Sequence, residues 1–166
     1  RVPNSTWPGA KFRVDTENAA GTVTWTAAAP AASSNGNIMT VKSNPAGVTL
    51  TGTDADGQTV TLNMGSNWFA QSATKWEWLS GDYDGTAVYS CRQLGAQVAS
   101  SSALQGIISE WGELETYDGW TNLKNNWLYS STTVVSGNGV KSTIAYYFPG
   151  GQEGQLTGLR GYYACR

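Results

Sequence analysis

The chain has 166 residues, a net charge of −2 and a pI near 5.0. Only 13% of its residues are charged, about half the share of an ordinary soluble domain. With no run of Lys or Arg, the sequence excludes a nucleic-acid partner, since phosphate binding needs a basic surface. The absence of histidine excludes Ser-His-Asp and Cys-His catalysis and any zinc site with a histidine ligand.

Residues 1–65 are predicted to form a first domain made of β-strands. Five short runs alternate apolar and polar side chains and are rich in β-branched residues: 10–14, 21–26, 37–42, 47–51 and 59–63. Turn formers such as Asn35-Gly36 separate them. This spacing indicates a small antiparallel β-sandwich of the Ig-like type in which Trp25 faces the core.

One turn in this domain resembles the start of a calcium-binding loop. Asp54-Ala55-Asp56-Gly57 matches the first residues of an EF-hand, but the downstream glutamate that would complete the loop is absent. We therefore expect a hairpin turn at this position rather than a metal site.

Residues 66–166 are predicted to form a second, α+β domain, connected through the short segment 63–67. Its first helix begins at a cap, Asp82 or Asp84, and ends at Gly95. The inner face of this helix carries Val88, Cys91 and Leu94.

A second helix is indicated by the spacing of its apolar residues. Ser102 to Gln105 fits a capping box, and Gly112 ends the helix. The residues at i, i+3, i+4 and i+7 are Leu104, Ile107, Ile108 and Trp111. Strands are predicted at 127–130, 143–148 and 161–165, with flexible glycine-rich loops at 134–141 and 150–155.

Cys91 and Cys165 allow one pairing, and its loop would span 74 residue steps (165 − 91). Two buried free thiols are the alternative, which a cytosolic setting would favour. The low charge and the polar Ser, Thr and Asn content favour an extracellular setting, and therefore the disulfide bond.

The order of motifs along the chain resembles the tip of intimin/invasin-type adhesins. The resemblance covers about residues 5 to 166, and its second half is similar to a C-type-lectin-like domain. The segments that carry it are Gly9-Ala10-x-Phe12, Thr24-Trp25-Thr26, Trp68-Phe69, Ala87-x-x-x-Cys91-x-x-Leu94-Gly95, Trp127 to Thr132 and Tyr163-Ala164-Cys165.

This resemblance implies a non-enzymatic cell-surface protein. Members of the family are inverse autotransporters, anchored in the outer membrane through an N-terminal β-barrel, and their last domain binds a receptor on a host cell or another bacterium. We expect this fragment to be monomeric. We also expect that it does not itself insert in a membrane, since no apolar stretch approaches the ~20 residues that cross a bilayer. No cofactor or metal is expected, because the Glu-Pro-Asn and Gln-Pro-Asp motifs of calcium-dependent lectins are missing.

The candidate contact residues lie in the second domain. Segment 110–120 combines four acids with three large aromatic residues, and exposed Tyr or Trp beside charge is typical of protein-binding surfaces. We expect receptor contacts from Tyr117, Asp118, Trp120 and Arg160. Trp111 is expected in the core because of its helical spacing.

Three alternatives remain at this stage. Paired carboxylates beside tryptophan are also what a glycosidase needs, but the scaffold for a substrate groove is missing. Tyr117 and Trp120 could instead form a stacking platform for a glycan. Self-association between bacteria, as in biofilm growth, would need no host receptor.

Overall fold

The computed structural model describes residues 3–27, 32–35, 37–42, 49–63, 67–76, 85–158 and 161–166. The chain divides into two compact units, Arg1–Trp68 and Phe69–Arg166. The sequence had placed the boundary between 65 and 66, and residues 64–66 of that connection lie outside the described ranges.

The first unit is a β-sandwich. Its strands, in chain order, are β1 Ser5–Thr6, β2 Lys11–Arg13, β3 Thr24–Ala27, β4 Ala32–Asn35, β5 Ile38–Val41, β6 Thr49–Thr53, β7 Thr59–Asn63 and β8 Asn67–Trp68. Two antiparallel sheets have the orders β2-β5-β4 and β3-β6-β7, and β1 pairs with β8 in parallel. The predicted Ig-like sandwich is confirmed.

The sheet β3-β6-β7 separates apolar from polar side chains by the alternation of a pleated strand. Trp25, Gly52 and Val60 form one row across the three strands. Trp25 and Leu50 on this inner face are buried, as predicted for Trp25. The outer face carries the threonines of the three strands: Thr24, Thr26, Thr49, Thr51, Thr53, Thr59 and Thr61.

The turn between β6 and β7 is a hairpin, as expected. Asp54 Oδ1 accepts hydrogen bonds from the backbone N–H groups of Asp56 and Gln58, each at 2.9 Å. Gly57 adopts a φ of 80°, a conformation that glycine allows without steric cost. The aspartate therefore organises the turn through backbone hydrogen bonds.

The second unit is built on one mixed sheet with two helices. Its elements are β9 Gln71–Lys75, α1 Gly85–Gln93, α2 Ser101–Trp111, 3-10 turns at Leu114–Thr116 and Thr121–Leu123, β10 Trp127–Val135, β11 Lys141–Tyr147, β12 Gln152–Leu156 and β13 Tyr162–Cys165. The strand order is β12-β11-β10-β13-β9, with β10 and β13 parallel. The predicted α+β class is confirmed.

The two helices cover opposite faces of this sheet. On one face, Tyr129 and Ala145 share a buried cluster with Cys91 of α1. Their neighbours along the strands, Leu128 and Tyr146, point to the other face, where the Tyr146 hydroxyl lies 3.3 Å from the carbonyl oxygen of Ser101 in α2. The sheet is therefore buried on both sides.

The first helix differs from the prediction at its end. Helix α1 ends at Gln93, so Leu94 lies beyond the helical face and is 52% exposed. The prediction that Leu94 lies on the inner face of the helix was wrong, because the helix ends one residue before it. The predicted caps Asp82 and Asp84 lie outside the described residues.

The second helix begins two residues earlier than the capping box suggested. Ser100 is the N-cap, and its hydroxyl accepts a hydrogen bond from the N–H of Ala103 at 3.3 Å. Leu104 and Ile107 are buried, as their spacing predicted. Gly112 ends the helix as expected, with its N–H bonded to the carbonyl oxygen of Ile108.

Both glycine-rich segments predicted as flexible loops consist largely of strands and a tight turn. Most of 150–155 belongs to β12, in which Gly154 lies under the ring of Trp127. In 134–141, the strands β10 and β11 continue to a tight turn closed between Ser136 N–H and Val140 O at 2.9 Å. Glycine here serves packing and turn geometry rather than flexibility.

Candidate binding surface

The segment that follows α2 is held in place by buried apolar residues. Leu114, Trp120 and Leu123 are each 0% exposed. Leu114 and Leu123 belong to the two 3-10 turns, and Trp120 is the residue directly before the second turn. Segment 110–120 is therefore anchored in the core of the second unit.

The buried position of Trp120 corrects one prediction from the sequence. Its ring packs edge-on against Phe69, with ring centroids 5.8 Å apart and an interplanar angle of 83°. An indole ring with no exposed area cannot offer its face to a partner. Trp120 supports the surface from below, and the sequence could not distinguish this role from exposure because one aromatic in a loop suits both.

Tyr117 lies at the surface of the same segment. It is 36% exposed, and its ring meets that of Trp111 edge-on at a centroid distance of 5.1 Å and an angle of 82°. Trp111 is half-buried rather than fully in the core. Contact with Trp111 limits the rotation of the tyrosine ring, which lowers the entropy lost when a partner binds.

Acidic side chains surround this aromatic pair. Asp118 and Glu113 are exposed, and Glu110 and Glu115 are partly buried. Segment 110–120 contains no Lys or Arg. The surface therefore combines an immobilised tyrosine with negative charge, which favours a partner that presents basic residues.

Two asparagines fasten the end of the segment to the sheet. Asn122 Nδ2 donates to the carbonyl oxygen of Ala73 in β9 at 2.9 Å. Asn126 Nδ2 donates to the carbonyl oxygens of Asn122 and Lys124 at 3.0 and 3.2 Å. These bonds fix the chain between the second 3-10 turn and β10.

A polar cluster joins α2 to the sheet. Glu153 Oε1 accepts from Gln105 Nε2 at 3.2 Å and lies 3.2 Å from the hydroxyl of Tyr146. Burial, together with the negative charge of Glu153, raises the pKa of Tyr146 to about 12. The neutral tyrosine is thus the stable form, and the cluster fixes the helix that leads into segment 110–120.

The disulfide bond predicted from the cysteine pair is present. Cys91 and Cys165 are bonded, with a Cα–Cα distance of 5.4 Å, and both are fully buried. The bond connects α1 to β13 and encloses the candidate surface within its 74-residue separation. The backbone of β13 adds a hydrogen bond from the N–H of Ala99 to the carbonyl oxygen of Ala164.

Arg160 lies outside the described residues. Among the residues described, no group of three or more His, Cys, Asp or Glu is placed to hold a metal ion, and no helix is long and apolar enough to cross a membrane.

The structure also exposes Tyr89, a residue that the sequence did not single out. On α1, Tyr89 is 62% exposed, and Leu94 follows just after the helix. Tyr89 lies two positions from Cys91, so it points away from the buried face. This offset along the helix is the signal that would have identified it.

Together, an Ig-like sandwich and a disulfide-linked α+β unit of the C-type-lectin-like kind define the class of this fold. At the sequence level the chain matches no protein-family profile and no curated protein. The fold, however, matches solved fragments of intimin over almost its entire length.

Three of these structures illustrate the likeness. An intimin mutant from EHEC O157:H7 has a TM-score of 0.62 at 16% identity, covering 99% of this chain and 87% of that one. A second structure is the 282-residue C-terminal intimin fragment in complex with the intimin-binding domain of the translocated intimin receptor. It has a TM-score of 0.62 at 19% identity, covering 100% of this chain and 60% of that one. An intimin–Tir90 complex has a TM-score of 0.61 at 19% identity, covering 99% of this chain and 87% of that one.

Proposed function

We propose that this chain is the binding tip of a bacterial surface adhesin that attaches to a protein receptor on a host cell. The observation that carries the proposal is the match of the whole chain to intimin fragments, two of them in complex with a receptor protein. The second unit would make the contact and so mediate attachment or invasion.

Within that unit, we place the contact on the surface formed by Tyr117 and Asp118. Tyr117 is fixed against Trp111, and buried Trp120 supports the segment from below. A receptor contact here would bury the tyrosine ring and pair basic receptor groups with the acids. Arg160, expected as a further contact, remains a proposal on sequence grounds alone.

A binding role accounts for these residues better than catalysis. The aromatic side chains hold a surface in shape, and two of the four acids, Glu113 and Asp118, are exposed on it. The glycan alternative is weakened because one of its two stacking residues, Trp120, has no exposed face.

The experiment is binding of the labelled 166-residue chain to cultured host cells before and after treatment of the cells. The proposal expects binding to be lost after protease treatment and kept after treatment with a mixture of glycosidases. Loss with glycosidases alone would establish the glycan alternative instead.

Self-association is tested on the same material by sedimentation equilibrium. A monomer that still binds cells supports the proposal. A chain that binds only to itself, with no binding to any host cell, would contradict it.

A further inference from the structure

The first unit contains a cavity that the proposed function does not use. It has a volume of about 320 Å³ and opens between the β6–β7 hairpin and the loop that follows β2, a size within the usual range of ligand pockets. Its floor is apolar, formed by Val23, Trp25 and Leu62.

Gly52, at the centre of the inner row, is among the residues that line the cavity. A Cβ atom at this position would lie 2.9 Å from the ring of Trp25. The absence of a side chain at Gly52 lets the Trp25 ring pack directly over β6. Val60 is 47% exposed at the margin of the cavity.

One side-chain and one backbone hydrogen bond connect the walls of the cavity. Asp54 Oδ2 accepts from the N–H of Ala20 at 3.3 Å, and the N–H of Ala55 donates to the carbonyl oxygen of Ala20 at 2.8 Å. Ala20, which directly follows the lining residues 15–19, is thereby tied to the β6–β7 hairpin.

The lining of the cavity is negatively charged. Asp15, Glu17 and Asp54 are among its lining residues, and none of the described lining residues is basic. Arg13, nearby, pairs with Asp15 at 2.9 Å on the exposed side, leaving Glu17 and Asp54 to set the charge. An apolar floor under carboxylates fits a cation on an aliphatic stem, as in Lys or Arg.

The strand beside the cavity lies at the edge of its sheet. In the order β3-β6-β7, no described strand pairs with the outer side of β7. Its sequence, Thr-Val-Thr-Leu-Asn, contains no charge or proline, the devices that usually prevent pairing at an edge. Such an edge is a template for an added strand from a partner.

The cavity and the outer edge of β7 are aligned through Val60. A residue added opposite Val60 would extend the row of Trp25, Gly52 and Val60 and would point to the same face as the cavity. Its neighbours on the added strand would point to the threonine face.

We propose that β7 binds an extended segment of a partner protein by strand addition, with a Lys or Arg opposite Val60 entering the acidic cavity. This site is independent of the receptor contact proposed for the second unit. On the partner segment, the residue opposite Val60 is expected to be Lys or Arg and not an acid. Its neighbours, which point to the threonine face, are expected to be polar.

The test uses ¹⁵N-labelled full chain and a short capped peptide of alternating Thr and Val with one central Arg. We expect amide shifts at residues 59–63 and binding that is about threefold weaker for the same peptide with neutral citrulline. Glu17→Gln should weaken binding of the Arg peptide similarly. Asp56→Asn, which removes a charge from the same hairpin outside the cavity, should leave it unchanged.

Val60→Lys provides the second variant, since it places a cation at the exposed margin and should abolish peptide binding in a folded chain. Equal affinity for the two peptides, or shifts confined to the second unit, would overturn the proposal. A dimer of the wild type that Val60→Lys dissociates would also overturn it, because the occupant would then be a second copy of the chain.

Discussion

The ring of Tyr117 stands edge-on to the ring of Trp111, with centroids 5.1 Å apart. The two residues are separated by the end of α2 at Gly112 and by the first 3-10 turn. This contact converts a surface tyrosine into a side chain of restricted rotation. It connects the helix, whose position depends on the core, to the segment that we propose as the receptor contact.

Removing the disulfide bond should destabilise the second unit selectively. In the chain-entropy relation, a loop of this length contributes about 4 kcal/mol. The double substitution Cys91→Ala with Cys165→Ala avoids a free thiol. Hydrogen exchange should show strongly reduced protection in residues 85–158, while the cysteine-free first unit keeps its protection. Equal loss in both units would contradict this account of the bond.

The hydroxyl of Tyr146 should stabilise the chain only while it is protonated. Its pKa is raised to about 12, above the ordinary value near 10. The folded state therefore retains the proton after the unfolded state has lost it, and stability falls as pH rises from about 10 to 12, by about 2 kcal/mol. Chemical denaturation across that range, for wild type and Tyr146→Phe, measures the difference. Because the other tyrosines titrate in both proteins, the difference between wild type and Tyr146→Phe isolates the effect of this one hydroxyl on stability.

Gly154→Ala should destabilise the second unit by roughly 1–3 kcal/mol. A Cβ atom there would lie 2.7 Å from the ring of Trp127, so that the ring must move. Gly137→Ala is the matched control, since nothing lies within 4 Å of its added carbon. Urea unfolding of the three proteins compares them, and equal midpoints for both variants would show that the ring moves at no cost.

Ser100→Ala should cost about 1 kcal/mol through loss of the N-cap of α2. Ser102→Ala, at the cap that the sequence pattern indicated, should cost much less, although its hydroxyl lies 3.1 Å from that of Ser100. Thermal unfolding of the two variants ranks them. The reverse order would place the start of the helix at Ser102.

The contrast between Ser100 and Ser102 shows what sequence patterns can and cannot predict here. The apolar spacing of Leu104 and Ile107 predicted the helix because burial of one face requires it. Three adjacent serines, however, offer equivalent caps, and the docking of the helix selects among them. Periodicity specifies which face is buried, and tertiary packing specifies where the element begins.

The same limit applies to the candidate surface. Segment 110–120 was identified from its composition, but composition could not separate buried Trp120 from exposed Tyr117. The contact of Trp120 with Phe69 joins positions far apart in the sequence. Strand β12 was missed for a related reason, since its glycine is explained only by the ring of Trp127 lying above it.

The most direct test of the central claim is a binding isotherm on protease-sensitive host cells for Tyr117→Ala and Tyr89→Ala. Both substitutions remove an exposed tyrosine from the second unit, and Tyr89 lies on α1, away from the proposed surface. We predict at least about a tenfold loss of affinity for Tyr117→Ala, as for a hot-spot residue, and wild-type binding for Tyr89→Ala. Unchanged binding of Tyr117→Ala, or loss with Tyr89→Ala alone, would contradict the account and place the receptor contact elsewhere.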